Sequence, residues 1–94
     1  MKKTIEGIIK KHNLENKFTD VVMIEDTVSD FKFKIKYVGT INMNVTTHFS
    51  LIDNYYEHGG YLFVEIKKGH NYGLITWPNE VSHLLSLCTL KSPL

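Results

Sequence analysis

Arginine, alanine and glutamine do not occur anywhere in this chain of 94 residues, so all 11 of its lysine-or-arginine positions are lysines. Without a guanidinium group, the chain cannot form the bidentate hydrogen bonds with which arginine binds phosphate, carboxylate or guanine. This excludes the commonest means of anion recognition. The bias toward lysine, isoleucine and asparagine is typical of an AT-rich genome, such as that of a low-GC bacterium or one of its mobile elements.

The chain is also poor in cysteine and in net charge. Cys88 is its single cysteine, which excludes an internal disulfide and fits a reducing compartment. A formal net charge of +1 creates no global field that would attract nucleic acid or an anionic membrane. The first residues resemble the basic end of a signal peptide, but Glu6, Lys10 and Lys11 interrupt the apolar run that should follow. No segment approaches the ~20 apolar residues that span a bilayer, so the sequence predicts a cytoplasmic protein without membrane contact.

Two consecutive runs alternate strictly between apolar and polar residues, over 31–37 and 41–49. This period is typical of strands with one buried and one solvated face. A link of odd length over 38–40 keeps the apolar residues of both runs on one face, so the runs predict an antiparallel hairpin. The predicted pairs are Tyr37 with Ile41, Ile35 with Met43, Phe33 with Val45, Lys36 with Asn42 and Lys34 with Asn44.

Two helices are predicted from apolar residues at helical spacing. The first covers residues 4–15. The second follows Asn79, which is placed as its N-cap, and closes at Lys91 and Pro93. The apolar stripes consist of Ile5, Ile8, Ile9 and His12 in the first helix and of Val81, Leu84, Leu85 and Cys88 in the second.

Three further strands complete the expected sheet. Residues 19–25 form an apolar run that is expected to be buried on both faces. Residues 61–66 form another strand, and residues 72–77 form a last one that Pro78 ends because it lacks an amide donor. The stretches 26–30, 53–60 and 67–71 are predicted to be turns or irregular segments.

Together these elements predict a small two-layer α+β domain over residues 1–94. It has an N-terminal helix, a four- or five-stranded mainly antiparallel β-meander and a C-terminal helix. The hydrophobic share of 43% is enough for one modest core at this length.

A sequence pattern known from other proteins covers four pieces of this chain, namely Thr19-Asp-Val-Val22, Phe31 to Tyr37, Gly39-Thr40 and Tyr72-Gly-Leu-Ile-Thr-Trp-Pro-Asn79. Through them the chain, from about Phe18 to Leu87, resembles a family of short bacterial domains of unknown function with a late strand that ends in Trp-Pro-Asn. Val81-Ser82-His83 and the N-terminal helix depart from the family pattern. The resemblance implies an α+β fold, no catalytic residues and a small partner-binding protein of the kind found in toxin–antitoxin-like or mobile-element loci.

No residue spacing indicates catalysis or a metal site. The five histidines include no H-x-x-x-H or H-E-x-x-H pair. Cys88 lies on an apolar stripe, where a buried and unreactive thiol is expected. An enzyme would need a pocket that collects His58, His70 and a carboxylate. The sequence therefore predicts no catalytic residue, no metal and no cofactor.

The predicted function is that of a non-enzymatic protein-binding module, such as a small inhibitor or antitoxin-like factor. A nucleic-acid or small-ligand binding domain is the alternative, and homodimerisation is left open. Nucleic-acid binding is disfavoured because Phe31, Phe33 and Tyr37 lie on the face opposite the alternating lysines. Those lysines could also serve only to keep an exposed sheet soluble. The predicted partner-binding residues are Lys32, Lys34, Lys36, Asn42, Asn44, His48, Tyr55 and Tyr56.

Overall fold

A computed structural model describes residues 1–27, 30–67 and 73–89. The elements are helix α1 (Lys2–Lys11), strands β1 (Phe18–Asp26), β2 (Asp30–Tyr37), β3 (Ile52–His58) and β4 (Tyr61–Lys67), and helix α2 (Gly73–Cys88). The strands form one antiparallel sheet in the order β1-β2-β4-β3. The predicted α+β architecture, with one helix before the sheet and one after it, is confirmed.

A single apolar core lies between the two helices and one face of the sheet. Alternate residues of β2 and β4 supply the sheet side of this core, and pairing places Phe33 opposite Val64 and Ile35 opposite Leu62. Burial of each such side chain stabilises the fold by roughly 1.5–3 kcal/mol relative to its exposure. The helix side consists of Ile5, Ile8, Ile9, Trp77, Val81, Leu84, Leu85 and Cys88.

Helix α1 is shorter at its C-terminal end than the prediction over residues 4–15. Lys10 and Lys11 lie in its last turn, where cations interact favourably with the helix dipole. Asn13 follows with a left-handed φ of 55°, a conformation that ends helices. His12, predicted to lie on the buried stripe, is exposed because the helix ends before it.

The predicted hairpin over residues 31–49 is wrong. β2 lies inside the sheet, where β1 pairs with one of its edges and β4 with the other. Residues 41–49 form no strand, and the amide of Asn42 instead donates a hydrogen bond to the carbonyl of Cys88 at 2.8 Å. The apolar side chains of this segment pack half-buried against the core, namely Ile41, Met43, Val45 and Phe49. Its alternation therefore reflects apolar side chains that pack against the core and not pairing with β2.

The stretch 53–60, predicted to be irregular, contains most of β3 and its turn into β4. Gly59 and Gly60 have φ values of 60° and 84°, and they connect the His58–Tyr61 pair. Positive φ at both central residues is the geometry of a type I′ turn, which matches the twist of the strands that it joins. The doubled glycine therefore closes a tight hairpin.

The last predicted strand, over residues 72–77, is also wrong. The chain is helical from Gly73 onward, so Pro78 lies inside α2 and Asn79 is not its N-cap. Trp77 is 4% exposed, and its ring meets that of Phe31 edge-on with centroids 4.8 Å apart. The buried stripe predicted for the second helix is confirmed in full. Residues 68–71 of the predicted turn, Tyr72, and the predicted closing residues Lys91 and Pro93 lie outside the described residues.

Strand β1 is not buried on both faces as predicted. Val22 and Ile24 are 42% and 43% exposed, while Val21 is buried and Met23 packs against the core. The pairing with β2 is irregular in two places, and Asp20, in the first of them, has a left-handed φ of 53°. Such bulges add unpaired residues and twist an edge strand, which hinders pairing with further strands.

Candidate functional site: the open face of the sheet

Both helices pack on the core side of the sheet, and the opposite face is accessible to solvent. Residues paired directly across antiparallel strands point to the same side, so the strand register defines this face. We call its twelve residues the open face, and none of them is buried. They form three rows across the sheet, and each row has one residue from each of β1, β2, β4 and β3, in that order. The rows are Glu25, Lys32, Glu65 and Asn54; Val22, Lys34, Phe63 and Tyr56; and Thr19, Lys36, Tyr61 and His58.

The three lysines of β2 lie beside anionic and aromatic residues of the neighbouring strands. The ammonium of Lys32 is 3.1 Å from a carboxylate oxygen of Glu65 and 5.8 Å from the ring centroid of Tyr56. The ammonium of Lys34 lies 4.4 Å from the ring centroid of Tyr61 and 5.9 Å from that of Phe63. These are ion-pair and cation–π distances, so the central part of the open face is a connected cluster of cations and π systems.

The aromatic rings of the open face also contact one another. Tyr56 and Phe63 stack with centroids 5.0 Å apart and an interplanar angle of 3°. Each ring thus covers one face of the other, and the ammonium of Lys32 lies 5.8 Å from the Tyr56 centroid and 6.0 Å from that of Phe63. The hydrogen bond to Glu65, followed by that to Tyr56, raises the pKa of Lys32 above its ordinary value of 10.5. The lysine is fully charged at neutral pH, and the contacts of the cluster form within the single chain.

The structure brings together only part of the predicted site. Lys32, Lys34, Lys36 and Tyr56 share the open face, as the alternation of β2 indicates for the three lysines. Tyr55 does not belong with them. It lies on the core side of β3, donates a hydrogen bond from its hydroxyl to the Val45 carbonyl at 3.0 Å and packs edge-on against Phe49.

The polar residues predicted to face the lysines lie elsewhere. Asn42 and Asn44 are in the segment after β2, where the side-chain oxygen of Asn42 accepts a 2.9 Å hydrogen bond from the amide of Asn44. His48 is exposed in the same segment. The strand that would have carried them to the sheet does not form, so these three residues are not part of the open face.

Sequence reasoning missed the aromatic residues among the lysines. Tyr61 and Phe63 alternate with buried residues in β4, so their period was visible in the sequence. Their position beside Lys34 depends on the pairing of β2 with β4, which no local pattern specifies. The observation that Phe31, Phe33 and Tyr37 point away from the lysines was used to exclude aromatics from that face, and this conclusion is wrong.

The other chemically reactive side chains do not form a site in the described residues. The hydroxyl of Ser82 and Nε2 of His12 are 2.5 Å apart, and this contact joins α2 to the end of α1. Burial raises the pKa of the Cys88 thiol to about 11, so it stays protonated and unreactive. No group of three metal-ligating side chains occurs within residues 1–27, 30–67 and 73–89. His58 is on the open face, His83 packs against Phe49, and His70 lies outside the described residues.

Comparison with known proteins gives no match, whether to protein-family models, to curated proteins or to solved structures. In the part of the chain that the structure describes, no helix is long and apolar enough to cross a membrane.

Proposed function

We propose that this protein is a non-enzymatic protein-binding module of the cytoplasm and that its partner binds to the open face. In this proposal the chain acts as a small inhibitor or antitoxin-like factor of a low-GC bacterium or mobile element, as the family resemblance also implies. The observation that carries the proposal is the cluster of Lys32, Lys34, Tyr56 and Phe63 on a sheet face that neither α1 nor α2 covers.

Exposed apolar surface supports an interaction role for this face. Tyr56 is 36% exposed, and Val22 and Ile24 are exposed at the β1 side of the sheet. Tyrosine is a frequent anchor in protein-binding sites. The stacked and cation-bound rings have already lost rotamer freedom, so less conformational entropy is lost when a partner binds.

Single-stranded nucleic acid is the second candidate ligand, because lysines and aromatic rings do share one sheet surface. Three observations favour a protein. Tyr56 and Phe63 stack on each other, so one face of each ring is already occupied and is not available to a base. Lys32 is paired with Glu65, and Glu25 adds a second carboxylate to the same face. A phosphate backbone would meet these anions together with the lysines.

The test is partner capture from an extract of the host cell by tagged protein, with the captured protein identified by mass spectrometry. Lys34→Glu and Tyr56→Ala change the open face, and Lys10→Glu on the exposed side of α1 is the matched charge-reversal control. We expect the same partner with the wild type and the control and its loss with both open-face variants. Equal capture by all four proteins, with circular dichroism showing that all are folded, would contradict the assignment.

A gel shift with a single-stranded oligonucleotide separates the second candidate from the first. Nucleic-acid binding weakens steeply as the salt concentration rises, because bound counterions are released from the phosphates. We expect no salt-sensitive shift for this protein. A shift that Lys34→Glu abolishes and Lys10→Glu leaves unchanged would replace the protein partner with nucleic acid.

A further inference from the structure

We infer that the open face pairs with the open face of a second copy of this chain, about a two-fold axis that runs parallel to the strands between β2 and β4. The inference rests on the proposed function, since it takes the open face as the interaction surface, and it names one protein that this surface fits. A two-fold axis requires a surface that is complementary to itself. The open face meets this requirement through its two central strands.

The central strands carry complementary residues at three cross-strand pairs. β2 contributes only lysines to the open face, and β4 contributes Tyr61, Phe63 and Glu65, which are an anion and two π systems. The proposed axis places β2 of one copy over β4 of the other. The resulting contacts across the interface are Lys32 with Glu65 of the second copy, Lys34 with Phe63 of the second copy and Lys36 with Tyr61 of the second copy.

Contacts within one copy show two of these pairs. Lys32 lies 3.1 Å from Glu65, and the Lys34 ammonium lies 5.9 Å from the Phe63 ring centroid. In the dimer, the two Lys32–Glu65 pairs come together, so that each ammonium lies between two carboxylates and each carboxylate between two ammonium groups. Such a network gains more than isolated surface pairs do.

The outer strands are also compatible with this axis. β1 of one copy lies over β3 of the other, which places Val22 over Tyr56 of the second copy and Glu25 over Asn54 of the second copy. The first is an apolar pair, and in the second an amide can donate to a carboxylate. No like charges meet in any row.

The alternative in-plane axis, perpendicular to the strands, is excluded by charge. It would place β2 over β2, so that Lys34 faces itself and Lys32 faces Lys36. Like charges opposed across a desolvated interface are strongly unfavourable. The charge pattern of the open face therefore selects one of the two arrangements.

The size of the open face sets the strength that we expect. Four strands about 4.8 Å apart, with about seven residues of about 3.4 Å each, give a flat area of roughly 19 by 24 Å. Sheets that pack face to face lie about 10 Å apart, with their strands within about 30° of each other. At such an angle the residues of β2 and β4, which lie nearest the axis, keep their contacts with the second copy. This area is at the low end for specific interfaces, and we expect a dissociation constant on the order of 10 µM.

The test uses sedimentation velocity of the full chain between about 1 and 500 µM, a range that brackets the expected dissociation constant. K32E and E65K each create like-charge pairs across the proposed axis, and dimerisation of each single variant should weaken by about tenfold or more. In an equimolar mixture of the two variants, every cross-interface pair at these positions is again of opposite charge. We therefore expect the mixture to form a heterodimer that neither variant forms alone, while K10E dimerises like the wild type.

Each result decides the inference. A wild type that stays monomeric at 500 µM, variants that dimerise like the wild type, or a mixture that fails to recover dimers would overturn it. If the wild type is monomeric but partner capture still depends on Lys34 and Tyr56, self-pairing fails and the proposed function stands. If the wild type dimerises as described but captures no face-dependent partner, the second copy is the partner of the open face.

Discussion

The carboxylate of Glu80, in α2, accepts a 2.9 Å hydrogen bond from the backbone amide of Leu51, just before β3 begins. The same carboxylate oxygen accepts a second hydrogen bond from the amide of Ile52 at 3.2 Å. These contacts are partly buried, and they attach the second helix to the first residue of an edge strand. A charged acceptor for two amide groups specifies where the segment after β2 ends and where the hairpin of β3 and β4 begins.

Replacement of Glu80 by Ala should lower the free energy of unfolding by about 2 kcal/mol, since hydrogen bonds to charged groups contribute about 1.5–3 kcal/mol. Glu80→Gln keeps one side-chain oxygen as an acceptor, so its free energy of unfolding should fall by about half as much. Urea unfolding monitored by circular dichroism measures both changes. Glu6→Ala, on the exposed side of α1, is the control and should change stability by less than about 0.5 kcal/mol. Equal losses for Glu80→Ala and Glu6→Ala would show that the carboxylate does not hold β3.

The turn between β3 and β4 gives a prediction about backbone conformation alone. A Cβ atom added at Gly59 or Gly60 would meet no other atom within 4 Å, so any cost of substitution comes from the positive φ angle. Gly60→Val should cost about 1–2 kcal/mol, because a side chain disfavours the left-handed region. Gly59→Asn should stay within about 0.5 kcal/mol of the wild type, because asparagine is favoured at the first position of a type I′ turn.

Gly7 is the matched control for this turn. It also has open space around it, but it lies inside α1, where alanine is favoured over glycine by about 1 kcal/mol. Gly7→Ala should therefore stabilise the protein while Gly60→Val destabilises it, and thermal unfolding of the two variants compares the signs directly. A loss of stability in both would mean that crowding, and not φ, decides the outcome.

The sequence alone predicts the elements whose signal is local. The stripe of Val81, Leu84, Leu85 and Cys88 and the alternation of Phe31, Phe33 and Ile35 each describe one element that buries one side, and the structure confirms both. Such periodicity says which side of an element is buried, and it contains no information about which element lies next to it. This is why the helices and the core side of β2 could be predicted.

Strand pairing could not be predicted in the same way. The predicted hairpin rested on the correct core side of β2. Any other alternating strand, however, could also pair with β2 and keep its apolar residues on that side. β4, which pairs with β2, lies far along the chain, and only a tertiary contact such as Val64 beside Phe33 specifies it. The candidate site was incomplete for this reason. Its lysines were predicted from β2 alone, and its aromatic residues come from two strands whose position was unknown.

Pro78 is the point where a local rule gave the wrong element, and it leads to a third prediction. As the sixth residue of α2 it lacks the amide hydrogen that would bond to the preceding turn, and an interior proline costs a helix about 3 kcal/mol relative to alanine. Tertiary packing of the neighbouring Trp77 in the core compensates for this cost.

Pro78→Ala restores the amide and should raise the free energy of unfolding by about 1–2 kcal/mol in urea. Asn79→Ala, at the next and exposed position, should raise the free energy of unfolding by about 0.5 kcal/mol or less. A destabilised Pro78→Ala variant would show that the backbone conformation set by proline is needed to place Trp77.

Cys88 gives a prediction about pH. Burial raises the pKa of its thiol from 9.0 to about 11, so at pH 8 the thiolate fraction in the folded protein is about a hundredfold below that of the unfolded chain. Alkylation by iodoacetamide should be slower by at least that factor in buffer than in urea.

The native state also keeps a proton that the unfolded chain releases. The contribution of this thiol to stability is therefore fully present below pH 9 and is lost as the pH rises through about 11. Tyrosine and lysine groups titrate in the same range, and Cys88→Ala isolates the thiol. The variant is expected to be less stable at pH 8 because of the cavity, and the stability difference from the wild type should shrink between pH 9 and 11. A difference that stays constant across this range, or rapid alkylation in buffer, would place the thiol in contact with solvent.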